Sequence, residues 1–254
     1  MFPYLSSTTI PLGPIHLQTW GTLVALGFLV ATWIAARRAK QRGLDPKIVW
    51  DMAFWILIAA FVGSRAFHVF FYEPQYYFLH PLQAFDPRRP GFAIEGGIIA
   101  SAAVFYWFIK KHALDFLAYA DTLVWGLPWG CGIGRIGCFL IHDHPGTLSH
   151  SIMAVRYPDG VSRQDLGLDL SAVGFVIGCI FLSLNNFKFS KKPGFFLGAF
   201  LVLDSAARLW LDFYRVVDVR YGGLTPTQWL SFPMIAVGVW ILVRKTKKDT
   251  VAIH

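Results

Sequence analysis

The sequence is short of charge. Aspartate, glutamate, lysine and arginine make up only 15% of its 254 residues, whereas 55% are hydrophobic. A soluble globular domain carries about 25% charged residues. Apolar runs long enough to cross a bilayer recur along the chain, and the mean hydropathy is +0.49. The composition therefore excludes an ordinary water-soluble domain and predicts a polytopic membrane protein.

Cysteine is scarce as well. The three cysteines, Cys131, Cys138 and Cys179, all lie in apolar stretches, where we expect small buried side chains. This pattern excludes a disulfide framework. The sequence also lacks a glycine-rich loop of the nucleotide-binding kind. We therefore expect no nucleotide cofactor.

Two further signatures are missing. The chain has no internal repeat, which argues against a transporter built from two matching halves. No basic segment precedes the first apolar stretch, and that stretch is long enough to remain as an anchor. We therefore expect no cleavable signal peptide.

Positive charge, in contrast, is in excess. The formal net charge is +8, which in a soluble protein would suggest a nucleic-acid partner. Here most of the basic residues follow alternate apolar runs, as they do at the cytoplasmic face of membrane proteins. We therefore expect no nucleic acid, an N-terminus outside the cytoplasm and a C-terminus inside it.

The apolar runs also predict the fold. We expect an all-α bundle of about seven transmembrane helices, in which residues 1–254 form a single integral membrane domain. The predicted spans are 17–36, 49–72, 94–109, 118–140, 169–187, 194–214 and 227–243. Residues 141–168 are polar and contain turn sequences, so we expect them to form a small head on the outer side.

Charged residues recur at the outer depth of several spans. Arginines in a membrane segment are costly and are usually kept for a task. The arginines in question are Arg65 after Gly63-Ser64, Arg135 within Gly134-Arg135-Ile136-Gly137, Arg208, and Arg215 at the outer end of its span. Acids accompany them, namely Glu95 before Gly96-Gly97, Asp143 after the Arg135 motif, and Asp212.

Each charge has a structural alternative. Arg208 and Asp212 have i, i+4 spacing, so they can form an ion pair on one helix face. Arg65 can extend its side chain to the membrane interface. Clustered guanidinium groups, however, bind phosphate bidentately and do not lose their charge. The set as a whole therefore favours a site for an anionic phospholipid headgroup.

Two histidines, His142 and His144, flank Asp143. A histidine pair with one carboxylate lacks a third metal ligand at a suitable spacing, so the metal interpretation is weak. The alternatives are loop histidines with ordinary polar partners, or groups that bind substrate and handle protons near neutral pH.

The chain resembles the bacterial prolipoprotein diacylglyceryl transferase family over roughly residues 17–243. The resemblance rests on the order of short motifs, of which Gly-Arg-x-Gly is the family signature. The matching motifs are Gly63-Ser64-Arg65, Gly96-Gly97, Gly134-Arg135-Ile136-Gly137, Arg208 to Arg215, Gly223-Leu224-Thr225, and Leu230-Ser231-Phe232-Pro233.

The sequence departs from the family pattern at five positions, one of which is Asp212, where the family has a glutamate four residues after the arginine. Cys138 and Ile141 stand where the family has asparagines, and Asp143 stands where it has a glutamate. Glu95 replaces a histidine that is thought to be functional in the family. A buried glutamate can serve as a base. The replacement is equally compatible with lost activity or a changed substrate.

The resemblance implies an activity and an assignment of roles. The family, in the bacterial inner membrane, moves diacylglycerol from phosphatidylglycerol to the lipobox cysteine of prolipoproteins, whose signal peptides are its partners. Arg135 and Arg208 would hold the headgroup, with Arg65, Arg215, His142 and His144 as further contacts. Glu95, Asp143 or a nearby histidine would take the proton of the thiol, Asp212 would be a further catalytic residue, and no cofactor or metal ion would be needed. The rivals are a transferase with another acceptor and a non-catalytic lipid-binding or transport protein.

Overall fold

The structure is a computed structural model that describes residues 2–13, 15–86, 91–216 and 220–244. It is mainly helical, as predicted. The helices are α1 (Thr19–Gln41), α2 (Pro46–Phe67), α3 (Pro74–Leu79), α4 (Ile94–Lys111), α5 (Phe116–Ile141), α6 (Leu166–Leu184), α7 (Phe195–Leu211) and α8 (Pro226–Val243). Every predicted span corresponds to one of the seven long helices.

Five of these helices are long and apolar enough to cross a membrane, namely α1, α2 with its continuation to Tyr72, α5, α6 and α8. Helix α4 carries Glu95, Lys110 and Lys111, and α7 has only 17 residues with two charges inside it. The helical membrane fold is confirmed, and the total of seven spans stays a prediction. The basic tail after Arg244 lies outside the described residues.

Local signals explain where the long helices begin. The side chain of Asp115 accepts a hydrogen bond from the backbone N–H of Ala118 and caps α5. Thr225 and Gln228 form a reciprocal capping box at the start of α8. These caps satisfy backbone donors that a helix cannot satisfy internally.

Glycine allows the helices to approach closely. Helix α1 packs along α5, and α2 packs along α4. A Cβ atom on Gly126 would lie 2.0 Å from the carbonyl oxygen of Ala31, and one on Gly96 would lie 2.3 Å from that of Gly63. Both contacts require glycine, since no side chain fits between the two backbones.

The residues between α5 and α6 form a small sheet with the N-terminus. Its strands are β1 (Phe2–Pro3), β4 (Pro145–Leu148), β5 (Val155–Arg156) and β6 (Ser162–Asp165), in the order β1-β5-β6-β4. A separate hairpin joins β2 (Thr9–Leu12) to β3 (Ile15–Gln18). Strands β4, β5 and β6 lie within residues 141–168, the segment predicted to form the head. The N-terminal strand β1 joins them by pairing parallel to β5.

Candidate functional site

Arg135 lies on α5, six residues before the helix ends at Ile141. Its Nη1 is 3.9 Å from the Sγ of Cys138, one turn further along the helix. Within the described ranges, Arg135 forms no ion pair with a carboxylate. An always-charged guanidinium without an acid partner in a membrane helix indicates a site for an anion.

Arg208 and Arg215 are paired, but not as predicted. Arg208 Nε donates to Asp204 Oδ2 at 2.7 Å, and Arg215 Nε donates to Asp212 Oδ1 at 2.9 Å. The predicted Arg208–Asp212 ion pair is therefore wrong. The Asp212 carboxylate instead accepts hydrogen bonds from Arg215 and from the Thr225 hydroxyl, whereas Arg208 pairs one helical turn back, with Asp204.

Asp212 is one of the most buried carboxylates of this end of the molecule, with 1% exposure. Besides Arg215, it accepts a hydrogen bond from the Thr225 hydroxyl at 2.8 Å. Since Thr225 caps α8, Asp212 connects the end of α7 to the start of α8. Arg215 also forms a bridge with Gly146 of the head. These contacts fix the position of Arg215.

The three arginines form one electrostatic group. Arg208 and Arg215 lie close enough to Arg135 for their positive charges to act on it. Arg208 and Arg215 are neutralised by Asp204 and Asp212, whereas Arg135 is not. Among the described residues, this group therefore keeps one uncompensated positive charge.

Asp143 and His144 follow α5 and face Cys138. A carboxylate oxygen of Asp143, a ring nitrogen of His144 and Cys138 Sγ all lie within 4.8 Å of one another. Cys138 is buried, whereas the His144 and Asp143 side chains are 32% and 33% exposed. With Arg135 beside Cys138, this end of α5 brings a cation, a thiol, an acid and an imidazole together.

His142 points elsewhere. It ends α5 in the left-handed conformation, with φ of 50°. Its Nδ1 lies 2.7 Å from Asp165 Oδ2, and its ring stacks on Tyr4 with centroids 4.0 Å apart. The Tyr157 hydroxyl donates to the same carboxylate oxygen, and burial together with Asp165 raises the pKa of Tyr157. The buried His142 ring therefore connects α5 to the head.

Arg65 holds the loop between α2 and α4. It donates to the backbone carbonyl oxygens of Ala84, Gly91 and Gln83 at 2.9 to 3.0 Å, and to that of Asp86 at 3.4 Å. Its guanidinium also lies over the rings of two aromatic residues, Tyr77 and Phe92. The loop backbone therefore uses most of the hydrogen-bonding capacity of Arg65.

Glu95 lies in the first turn of α4, where the partial positive charge of the helix terminus favours a carboxylate. Its Oε2 is buried and has no hydrogen-bond partner in the described part of the chain. The neighbouring Gly96 and Gly97 pack against Gly63 and Ser64 of α2. Glu95 therefore belongs to the α2–α4 pair together with Arg65.

The predicted site residues thus form two groups, and His142 lies apart from both. Six of them gather around the C-terminal ends of α5 and α7, namely Arg135, Arg208, Arg215, Asp212, Asp143 and His144. Arg65 and Glu95 lie on the α2–α4 pair, and His142 is buried against the head.

Sequence reasoning missed three residues of the site, Cys138, Asp204 and Asp165. Spacing alone could have found two of them. Cys138 lies one helical turn after Arg135, and Asp204 lies one turn before Arg208. The pairing of Asp165 with His142 depends on the fold of the head and has no local signal.

Comparison with known proteins identifies the family of the chain. The family model described as prolipoprotein diacylglyceryl transferase matches residues 7–244. The phosphatidylglycerol–prolipoprotein diacylglyceryl transferase of Francisella tularensis subsp. mediasiatica is 29% identical over 260 residues, covering 98% of this chain and 97% of its own length. The enzyme of that name from Nitratidesulfovibrio vulgaris is 30% identical over 261 residues, covering 99% and 98%. The chain therefore belongs to the prolipoprotein diacylglyceryl transferase family.

Proposed function

We propose that this protein transfers the diacylglyceryl group of phosphatidylglycerol to the lipobox cysteine thiol of prolipoproteins. A thioether forms and glycerol phosphate is released. The names of the relatives give the lipid and the acceptor. The observation that carries the proposal is the unpaired Arg135 beside two arginines that are already neutralised.

The charge of this group suits the lipid. A phosphodiester headgroup carries one negative charge, which equals the charge left uncompensated at Arg135. A guanidinium fork binds two phosphate oxygens in parallel, a geometry that lysine cannot supply. Carboxylates already neutralise Arg208 and Arg215, so these arginines add hydrogen-bond donors and a favourable electrostatic potential without requiring a second anion.

The chemistry follows from that position. The acceptor thiolate attacks the glycerol carbon that bears the phosphate ester. The S–C bond forms, the C–O bond breaks, and its electron pair leaves on the phosphate oxygen. Negative charge therefore grows at the phosphate, where Arg135 and Arg208 stabilise it in the transition state more than in the ground state.

The remaining predicted site residues have supporting roles in this proposal. Asp143 and His144 lie beside Cys138 and Arg135, so they face the position where the thiol must lose its proton. Glu95, with its unpartnered buried oxygen, is the second acid. Asp212 positions Arg215. Arg65 and His142 contribute to substrate binding through the loop and the head that they hold.

The distribution of lysine and arginine supports an orientation in the membrane, and the family supports the choice of membrane. We place the protein in the bacterial inner membrane with the N-terminus and the head in the periplasm. Secreted precursors then reach the outer end of α5 from the periplasmic side. The lipid enters laterally between helices, and the signal peptide of the precursor docks alongside.

A turnover assay tests the proposal. Purified protein in detergent would receive phosphatidylglycerol and a lipobox peptide, and release of glycerol phosphate would be followed. Release that requires the peptide cysteine and disappears with Arg135→Ala supports the transferase. Arg163→Ala, which removes an exposed ion pair with Asp159 in the head, is the matched control and should retain activity.

A second candidate differs only in the acceptor. It is favoured by Glu95 and Cys138, because both departures from the family pattern fall among the site residues. Lipid-dependent glycerol phosphate release with another thiol or alcohol, and none with the lipobox peptide, would select it. Tight lipid binding without any release would instead indicate a non-catalytic lipid-binding protein.

A further inference from the structure

The outer end of α5 carries three side chains of the types that bind zinc. Cys138 Sγ, an oxygen of Asp143 and a ring nitrogen of His144 lie within 4.8 Å of one another. The three residues come from one turn of helix and the two residues of the following loop. Thiolate, imidazole and carboxylate are the three ligand types that proteins offer to Zn²⁺.

The sequence pattern alone points to the wrong third ligand. It pairs His142 with His144, but the left-handed backbone at His142 turns its ring towards Asp165. Cys138 takes the place of His142 in the cluster because it lies on the last turns of α5 and faces the loop. The weak two-histidine motif becomes a three-ligand site of mixed type.

We propose that Cys138, Asp143 and His144 bind one Zn²⁺ ion whose fourth position accepts the thiol of the acceptor peptide. The thiol part of this inference rests on the proposed transferase function, whereas the metal site does not. Three protein ligands with one open position are typical of catalytic zinc rather than structural zinc.

The geometry requires only side-chain movement. At usual zinc bond lengths, ligand atoms of a tetrahedral site lie roughly 3.5 Å apart. His144 Nε2 and Asp143 Oδ2 are already 3.7 Å apart. Both side chains are about one-third exposed, so they can rotate towards the buried Cys138.

The charges also balance. A cysteine thiolate and an aspartate carboxylate carry two negative charges, which neutralise one divalent cation. The positive charge of Arg135 then remains available to the phosphate. Arg135 Nη1, at 3.9 Å from Cys138 Sγ, is a donor that stabilises a thiolate ligand from outside the metal shell.

The proposed metal ion takes over the activation of the acceptor thiol, for which Glu95 would otherwise have to act as the base. A thiol that coordinates zinc loses its proton, so no side chain has to act as its base. The proton passes to water when the peptide thiol binds. The thiolate then attacks the glycerol carbon, the C–O bond breaks, and glycerol phosphate leaves beside Arg135. The histidine that precedes Gly-Gly in the family is not required for this route.

Cobalt provides a direct test without any turnover. Metal-free protein in detergent would be titrated with Co²⁺ and then with competing Zn²⁺. We expect one equivalent of Co²⁺ to give a thiolate-to-metal charge-transfer absorption, which Zn²⁺ removes. Absence of this absorption at saturating Co²⁺ would overturn the metal site.

Matched variants assign the ligands. Cys138→Ser should abolish the charge-transfer absorption, whereas Cys179→Ser, on the exposed face of α6, should leave it unchanged. Asp143→Asn and His144→Gln should weaken Co²⁺ binding by more than the 10- to 100-fold that outer-shell partners typically contribute. An absorption that persists in Cys138→Ser would contradict the assignment. Circular dichroism of each variant checks that it is folded.

Adding the acceptor separates the two parts of the proposal. A lipobox peptide should intensify and shift the charge-transfer absorption, since a second sulfur binds the cobalt, and a cysteine-to-serine peptide should not. A cobalt spectrum that the peptide leaves unchanged would overturn thiol coordination. Failure of the transferase function has a different signature: an intact cobalt site and no glycerol phosphate release in any metal state.

Discussion

Two arginines near the C-terminal ends of their helices have opposite surroundings. Arg65, near the end of α2, donates to four backbone carbonyl oxygens of the loop that leads to α4. Arg135, near the end of α5, has a cysteine sulfur as its hydrogen-bond partner and no carboxylate among the described residues. The two residues are equally costly to place in a membrane helix.

The partners of each arginine therefore distinguish a structural arginine from a ligand-binding one, although both carry the same charge. Backbone carbonyl oxygens accept hydrogen bonds from Arg65, so its guanidinium holds the loop in place. Arg135 keeps both its donors and its charge for a ligand. The neutralised pairs Arg208–Asp204 and Arg215–Asp212 are intermediate, since their charges are compensated within the protein.

Removing Arg135 should have the largest effect. We expect Arg135→Ala to lower kcat/KM for phosphatidylglycerol by about 10³-fold, the upper range for one preorganised transition-state donor, because a full charge is lost. Glycerol phosphate release at several lipid concentrations would measure the change. The variant should unfold at the same temperature as the parent protein or higher, since an uncompensated charge is removed.

Arg135→Lys sharpens the same test. It keeps the charge but not the planar fork, so it should recover only part of the lost activity. Full activity in the lysine variant would show that Arg135 acts as a point charge and does not bind phosphate bidentately.

Breaking a neutralised pair should destabilise the fold first. In Asp212→Asn, Arg215 loses its carboxylate and the link to Thr225 is weakened. We expect the free energy of unfolding to fall by about 3 kcal/mol, the low end for a buried pair with one partner removed. Chemical denaturation in detergent would measure it.

The matched control for this experiment is Asp159→Asn, which removes an exposed carboxylate from its pair with Arg163. It should cause no measurable change in unfolding, since exposed ion pairs contribute little. Equal effects at Asp212 and Asp159 would contradict the distinction between buried and exposed pairs.

Removing Arg65 should affect the loop more than the chemistry. In Arg65→Ala, four carbonyl oxygens lose a charged donor, and bonds to charged groups contribute roughly 1.5–3 kcal/mol each. Because the loop can regain water, we expect a net cost of about 2 kcal/mol. Faster proteolysis between α3 and α4, with kcat largely retained, would confirm this role. An Arg65→Ala variant that keeps its loop protected but loses lipid turnover would instead place Arg65 on the lipid.

These differences mark the limit of what the sequence predicts. Hydropathy located all seven long helices to within about five residues, because polar segments separate the apolar runs from one another. Spacing offers both Asp204 and Asp212 as partners of Arg208, and the choice between them depends on the contacts of Asp212 with Arg215 and Thr225, which the sequence does not show.

Contacts between distant segments were also beyond the sequence. Strand β1 pairs with β5, more than 150 residues away, and two-residue strands carry almost no local signal. The contact of His142 with Tyr4 depends on that pairing. The apolar sequence around Cys138 predicts only a small buried side chain. Its neighbours Asp143 and His144 approach it only once the loop after α5 has folded back.

The smallest effect concerns the contact between the head and the end of α5, which Tyr157, Asp165 and His142 form. Burial and Asp165 raise the pKa of Tyr157 above its usual 10.0, so the folded head keeps this proton where the unfolded chain releases it. The stabilisation is complete below pH 10 and is lost as the pH rises further. Phenolate absorbance and tryptophan fluorescence, followed together above pH 10, should therefore show Tyr157 ionising only as the head loosens. Tyr157→Phe should cost about 1 kcal/mol at neutral pH, because Asp165 loses one donor, and should flatten the alkaline decline. If Tyr157 ionises at its ordinary pKa while the head stays folded, the Asp165 contact does not hold α5, and the position of Arg135 depends on helix packing alone.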